Sequence, residues 1–145
     1  MTTQKDRLRL WLRLFKSTRE IEAELRDRLR TEFDTTLPRF DVMSALSRAP
    51  EGMKLSELSR MLMVSNGNVT GIVDRLTEDG MIAREAVPGD RRAALVRLTP
   101  EGQREFATQA AAHAGWINDL LSGLSPEDCQ HITDLLSQKD TEHAL

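Results

Sequence analysis

Two stretches of the chain hold the side chains best suited to chemistry. Between residues 65 and 76, apolar residues recur every third or fourth position, and small polar residues fill the positions between them. At residues 88–92, the turn-forming sequence Pro-Gly-Asp is followed by two arginines. The first pattern predicts a helix that presents small polar groups. The second predicts a hairpin tip that carries positive charge.

The helix predicted after Ser65 has a polar face that could contact DNA bases. Its buried stripe is formed by Val69, Ile72, Val73 and Leu76. Asparagine can form two hydrogen bonds with adenine in the major groove, and threonine offers a hydroxyl and a methyl group to thymine. The alternative is an ordinary solvated face with a cap at Ser65, because helix-turn-helix patterns also occur by chance. The candidate DNA contacts are Ser65, Asn66, Asn68, Thr70 and Arg75.

Two glycines interrupt the polar face of this predicted helix. Gly67 and Gly71 each weaken a helix by about 1 kcal/mol relative to alanine. Stability gives no reason for them, whereas the missing side chains would let the backbone approach a groove wall closely.

Residues 81–99 predict a β-hairpin with a cationic tip. The first strand is expected to end at Val87 and the return strand to begin at Ala94. A thin hairpin can enter a DNA minor groove, where negative potential is concentrated, and Asp90 could orient Arg92 through a two-pronged contact. A solvated charged turn is the alternative. The candidate DNA contacts of the tip are Asp90, Arg91 and Arg92.

The remaining elements are predicted helices that hold this unit, apart from one short strand edge. The predicted fold is therefore mainly α with a small β-hairpin wing, a winged helix-turn-helix joined to a helical region. The long first helix has more apolar surface than a small domain can cover, so part of it is expected to meet a partner subunit. The expected elements are a helix over residues 4–30, a helix at Leu37 capped by Thr36, a strand edge at Met53-Lys54, a helix capped by Ser56, a helix from Pro100 to Leu121 and a last helix after Ser125.

The bulk properties are those of a globular chain with a basic front part. The 145 residues carry a net charge of −3, but residues 1–104 have a balance of +3 and residues 105–145 a balance of −6. Binding to phosphate depends on where cations lie, so the overall acidity does not exclude DNA. No apolar run is long enough to span a membrane, and a cytoplasmic location is expected. The single cysteine, Cys129, excludes an internal disulfide and favours a buried apolar role over redox sensing.

The sequence holds no recognisable catalytic constellation. His113, His131 and His143 are spread over the acidic end, and none forms a compact metal-ligand pair. No serine or cysteine lies in a nucleophile-elbow pattern. The chain is therefore predicted to be no enzyme and to need no metal or cofactor.

The stretch from Leu55 to Gly102 resembles the winged helix-turn-helix of the MarR family of bacterial transcription regulators. The D-x-R, five residues, L-T-x-x-G pattern of that family is matched in full. The resemblance implies a homodimer in which residues 1–36 and 100–145 form the dimerisation region and residues 37–99 the DNA-binding lobe of one intertwined domain. It also implies that the helix from Ser65 enters the major groove and Arg92 the minor groove of a pseudo-palindromic operator. The residues that carry it are Leu58-Ser59, Ser65, Val69-Thr70, Val73-Asp74-Arg75-Leu76, Gly80-Met81-Ile82, Asp90-Arg91-Arg92 and Leu98-Thr99-Pro100-Glu101-Gly102.

The same resemblance implies a small-molecule pocket between the dimerisation region and the DNA-binding lobe. Ligands of the family are commonly aromatic carboxylates or related phenols, and some members bind aromatic acyl-CoA thioesters. The predicted function is thus a repressor released by such a ligand, and a ligand-independent architectural or protein-interaction module is the alternative. Arg19 or His113 could meet a carboxylate, and a surface or dimer-contact position is the alternative for His113. Trp11, Phe15 and Phe40 are expected to belong to the core, as aromatic residues at helical spacing usually do. The candidate pocket residues are Trp11, Phe15, Arg19, Phe40, Met43, His113 and Trp116.

Overall fold

The structure, a computed structural model, describes the backbone of residues 2–62, 66–87 and 89–143. Side chains are described over the same ranges except at residues 66–67, 90–92 and 139–143. Helices dominate, and three strands form an antiparallel sheet in the order β1-β3-β2, which confirms the predicted fold class. The elements are α1 (Thr2–Phe33), α2 (Leu37–Ser47), β1 (Met53–Lys54), α3 (Leu55–Leu62), α4 (Asn66–Glu78), β2 (Ile82–Val87), β3 (Asp90–Leu98), α5 (Pro100–Leu120) and α6 (Pro126–His143).

The chain divides into two compact units, one ending at His113 and the other beginning at Ala114. In the first unit, the main core lies between α2, α3, α4 and the sheet. Burying one of these valine or leucine side chains contributes about 1.5–3 kcal/mol. No helix in the described ranges is both long enough and apolar enough to cross a membrane. The fully buried members of this core are Val42, Met43, Leu46, Leu58, Val69, Val73, Leu76 and Val96.

Side-chain caps set the starts of two helices where the sequence predicted them. The hydroxyl of Thr36 accepts a hydrogen bond from the backbone N–H of Arg39 at 3.2 Å, which caps α2. At the start of α6, the Ser125 hydroxyl accepts from the N–H of Asp128 at 3.1 Å. The Asp128 carboxylate accepts from the N–H of Ser125 in return. These contacts satisfy N–H groups that have no partner within the helix.

Several predicted boundaries were wrong. The first helix runs from Thr2 to Phe33 rather than over residues 4–30. Ser56 does not cap α3, because that helix begins at Leu55, directly after β1. The return strand β3 begins at Asp90 rather than at Ala94, since Val87 pairs with Asp90 and leaves only residues 88 and 89 between the strands. The charged residues at the start of β3 hide the alternation of a strand, and this concealed the extra pairing.

The long helix α1 is buried at one end and exposed at the other. Leu25 and Leu29 are buried, whereas Trp11 and Phe15 are 57% and 46% exposed. The interpretation of Trp11 and Phe15 as core residues of this chain was therefore wrong. The exposure agrees with the expectation that the chain alone cannot cover this helix.

One junction fixes the end of the hairpin against the start of α5. The backbone N–H of Thr99 donates to the carbonyl of Met81 at 3.0 Å. The Thr99 hydroxyl accepts from the N–H of Gly102 at 3.0 Å and donates to the carbonyl of Gly80 at 2.6 Å. Gly80 has a φ of 80°, as expected for a residue that follows a helix. The threonine and glycine of the L-T-x-x-G pattern therefore tie the end of α4 to the base of the hairpin and the start of α5.

We expect Gly102→Ala to destabilise the protein by more than about 2 kcal/mol. A Cβ at this position would lie 2.1 Å from the carbonyl oxygen of Met81, and this backbone group is held by Thr99. Urea unfolding measures the change. The matched control is Gly71→Ala on the exposed face of α4, where an added Cβ meets no atom within 4 Å. The free energy of unfolding of that control should rise by about 1 kcal/mol. Equal effects at the two sites would contradict the stabilising role of the junction.

Candidate nucleic-acid interface

The outward face of α4 presents small polar groups, as the sequence predicted. Val69 and Val73 are fully buried, and Leu76 is 1% exposed. Between these positions Asn68, Gly71, Asp74 and Arg75 are exposed and Thr70 is half-buried. Ser65 lies outside the described residues, and Asn66 begins α4 with a side chain that is likewise outside them.

Gly71 lies in the middle of this face without a structural need for glycine. Its backbone is helical, and an added Cβ would find open space. A glycine that weakens a helix and relieves no clash within its own chain suits a surface that another molecule approaches closely.

The hairpin places the predicted tip residues at the start of β3. Asp90, Arg91 and Arg92 are its first three residues, and their side chains lie outside the described part, so the contact between Asp90 and Arg92 stays a prediction. The tip is tight because Val87 pairs with Asp90, and Gly89 supplies a φ of 87°. Such a narrow two-residue connection suits entry into a groove.

Ion pairs connect the hairpin to α4 and join its two strands. Arg84 of β2 forms an ion pair with Asp74 on the outward face of α4, and Arg97 of β3 pairs with Glu85 of β2. Pairs as exposed as these contribute at most about 1 kcal/mol each, so they orient the hairpin more than they stabilise it. Sequence reasoning missed the first pair because it joins two different elements, and no helical or strand period relates its members.

A cavity of about 710 Å³ beside α4 gathers arginines from three helices. Asn68 and Gly71 form part of its wall, so it borders the same face that could contact bases. Of its arginines, sequence reasoning singled out only the one on α4. The one-turn spacing of two arginines on α1 was the available signal for the rest. The four arginines are Arg26, Arg30, Arg39 and Arg75.

Comparison with known proteins decides the family. The family model described as MarR family matches residues 35–94. The uncharacterized HTH-type transcriptional regulator YkoM of Bacillus subtilis is 33% identical over 131 residues, which cover 90% of this chain and 81% of that protein. This chain belongs to the MarR family. It is a DNA-binding transcriptional regulator, and the family is not enzymatic.

Solved structures of MarR-family regulators share the fold over nearly the whole chain. A MarR family transcriptional regulator from Silicibacter pomeroyi is 29% identical, with a TM-score of 0.81 and 99% coverage of both chains. A mutant of MarR from E. coli, complexed with operator DNA, has a TM-score of 0.76 at 24% identity, covering 92% of this chain and 94% of that one. At that identity the likeness establishes the fold alone.

The predicted ligand residues of this MarR-family chain belong to α1, α2 and α5. On the exposed half of α1, the rings of Trp11 and Phe15 lie 5.6 Å apart, and the Arg19 guanidinium lies 4.8 Å from the Phe15 ring centre. In α2, Phe40 and Met43 are buried. In the second unit, Trp116 is buried in the last part of α5, and Cys129 is half-buried in α6.

His113 is the one predicted ligand residue that lines a cavity of about 400 Å³ in the first unit. Its ring stacks on Phe40 with 4.6 Å between ring centres. Burial lowers the pKa of His113 below its usual 6.5, so the ring is neutral at pH 7. Trp11 lies about 16 Å along α1 from Glu22 of the lining, so the exposed aromatic group does not share this cavity.

Two carboxylates face the same cavity as His113. Asp41 and Glu22 both line it, together with Arg26. Partial burial and the charge of Glu22 raise the pKa of Asp41 above its ordinary value, and Arg26 opposes that change. The cavity therefore has a lining of mixed charge, in which the ionised form of Asp41 is disfavoured.

We expect Asp41→Asn to raise the melting temperature at pH 7 and to have no effect near pH 3.5. A carboxyl group whose pKa is raised in the folded state destabilises the fold while ionised, and this cost disappears as pH falls through the raised pKa toward the ordinary 3.8. Thermal melts at fixed protein concentration measure the difference. The control is Asp27→Asn, an exposed carboxylate on α1 that does not line the cavity. An increase in the melting temperature of Asp41→Asn that persists at pH 3.5 would contradict this explanation.

Proposed function

We propose that this MarR-family regulator is a homodimeric repressor that binds a pseudo-palindromic operator and is released by a small aromatic ligand. The observation that carries the proposal is the polar face of α4, whose rotation is set by the buried Val69, Val73 and Leu76. This face leaves Asn68 and Arg75 exposed, and Asp74 connects it to the hairpin through Arg84.

In the proposed complex, α4 lies in the major groove and the hairpin reaches the adjacent minor groove. A major groove about 12 Å wide admits one helix, and a cationic hairpin tip suits the negative potential of a narrow minor groove. Asn68 and Thr70 would contact base edges, and Arg92 would enter the minor groove. A mutant of E. coli MarR, a protein of the same fold, has been crystallised with operator DNA, which supports DNA binding by this fold.

Exposed apolar side chains support the proposed dimer. Large apolar patches on a small protein mark interaction surfaces, and both terminal helices carry them. We therefore propose that a second copy covers these residues, with dimerisation through residues 1–36 and 100–145 and base contacts by residues 37–99. A two-fold dimer also explains why the operator would be pseudo-palindromic. The exposed side chains are Leu8, Leu10, Trp11, Leu12 and Phe15 of α1 and Ile132, Leu135 and Leu136 of α6.

The cavity beside His113 is the proposed effector site. Apolar side chains such as Leu25, Val42 and Leu62 form much of its wall, which suits an aromatic ring. Its charges refine the choice. Glu22 and Asp41 repel a ligand carboxylate, and Arg26 of the same lining offsets only part of this repulsion, because the pKa of Asp41 stays raised. A neutral His113 can exchange hydrogen bonds with a hydroxyl. A phenol or a thioester-linked aromatic ring therefore fits this cavity better than a free aromatic acid.

Two substitutions separate sequence readout from general attraction to DNA. Arg92→Ala should weaken DNA binding and lower the slope of log K against log salt by about one unit for each phosphate-like interaction that the substitution removes.

Asn68→Ala should reduce the preference for operator over competitor DNA more than it reduces nonspecific binding. Fluorescence anisotropy with footprinting measures both. Wild-type protein that protects no preferred sequence against competitor DNA would favour the architectural module instead, and unchanged affinity of Arg92→Ala would refute the wing contact.

A panel of matched ligands tests the effector. We expect phenols and thioesters of aromatic acids to raise the melting temperature more than the corresponding free acids do, because of Glu22 and Asp41. The same compounds should release a promoter-bound operator complex and restore transcription in vitro. Asp41→Asn should narrow the difference between each acid and its neutral analogue. A panel in which the acids stabilise wild-type protein more strongly would contradict the assigned charge preference.

A further inference from the structure

We propose that the arginine-lined cavity beside α4 is a second DNA contact, which holds backbone phosphates next to the bases that α4 reads. The inference rests on the proposed DNA-binding function and adds a site outside the recognition helix and the hairpin. Its cations come from distant parts of the chain. Arg26 and Arg30 belong to α1, Arg39 to α2 and Arg75 to α4.

The position of the cavity points to the phosphate backbone. Asn68 and Gly71 form one wall, and these residues belong to the face proposed to enter the major groove. A helix in that groove has a sugar-phosphate backbone on either side. The cavity extends sideways from α4 to α1, so a phosphate at the groove edge would meet Arg30 and Arg26 while α4 contacts the bases.

The arginines differ in how freely they could take up a phosphate. Arg39 is held by Asp79 at 2.5 Å. Arg26 reaches Glu22 at only 3.5 Å, and both side chains are well exposed, so a phosphate can replace that weak pair. Arg30 and Arg75 have no ion-pair partner among the described side chains. At least three guanidinium groups are therefore available.

The start of α2 adds to the positive potential. Leu37 and Pro38 line the cavity and are the first two residues of that helix, whose N-terminal end carries partial positive charge. On α1, Arg26 and Arg30 are one turn apart, about 6 Å along the axis. A strand with regularly repeated charges can satisfy such an array, whereas one small carboxylate leaves most of it unused.

Charge-removing substitutions on α1 test the proposal. We expect Arg26→Gln and Arg30→Gln each to weaken binding to operator DNA and to competitor DNA by the same factor, because phosphate contacts carry no sequence information. Each should lower the salt slope by about 0.9 per chain for each phosphate that is no longer neutralised. Arg30→Lys should restore most of the binding. The matched control is Arg28→Gln, since Arg28 lies about 200° around α1 from both residues and pairs with Glu24.

Operators with an uncharged methylphosphonate at single positions locate the contact. At one or two positions that flank the bases read by α4, the modification should weaken operator binding by wild-type protein. It should have little effect on operator binding by the Arg30→Gln variant. If the slopes of the Arg26 and Arg30 variants equal those of wild type and Arg28→Gln, the proposal is overturned.

The outcomes distinguish this proposal from the proposed function. Failure of wild-type protein to prefer any DNA sequence would refute the function itself, whereas normal wild-type binding with unaffected arginine variants would refute only the phosphate contact.

Benzoate is the probe for a small-anion site. If the arginine variants bind DNA normally but lose a benzoate-induced thermal shift, the cavity binds a small anion and the phosphate contact is wrong.

Discussion

The burial of three side chains on one side of α4 is the constraint on which the DNA-binding surface depends. Val69 and Val73 are fully excluded from solvent and Leu76 almost so, and they lie four and three residues apart. Rotating the helix by one residue, about 100°, would push polar groups such as Thr70 or Asp74 into the core, where unpaired polar groups are costly. The core therefore decides which residues of α4 face outward, and the hairpin and the arginine cavity are placed relative to that face.

Local patterns were sufficient to predict most of the fold. The period of α4 and the caps at Thr36 and Ser125 depend on residues within one or two turns of each other, so the sequence reveals them directly. The start of β3 was missed because Asp90 and the arginines after it are hydrophilic on both sides of the strand. Such positions carry no alternation between buried and exposed residues.

Contacts between distant elements could not be predicted in the same way. The pair between Asp74 and Arg84 and the grouping of Arg26 with Arg39 depend on how helices and strands pack, which no spacing along the chain encodes. The aromatic residues of α1 raised a related difficulty. Their spacing correctly identified a shared face, but it could not tell whether that face meets the chain's own core, a ligand or a second copy.

The length and continuity of α1 have a mechanical consequence. The helix runs without interruption for 32 residues and contains neither glycine nor proline, which are common causes of sharp kinks, so a rotation at one end is transmitted along its length. Trp11 lies about 27 Å from the buried Leu29. A tilt of about 5° at the buried end, beside the cavities that α1 helps to line, would carry Trp11 through about 2 Å. Small changes in packing near the DNA-binding surface are thus geometrically amplified at the far end of the same helix.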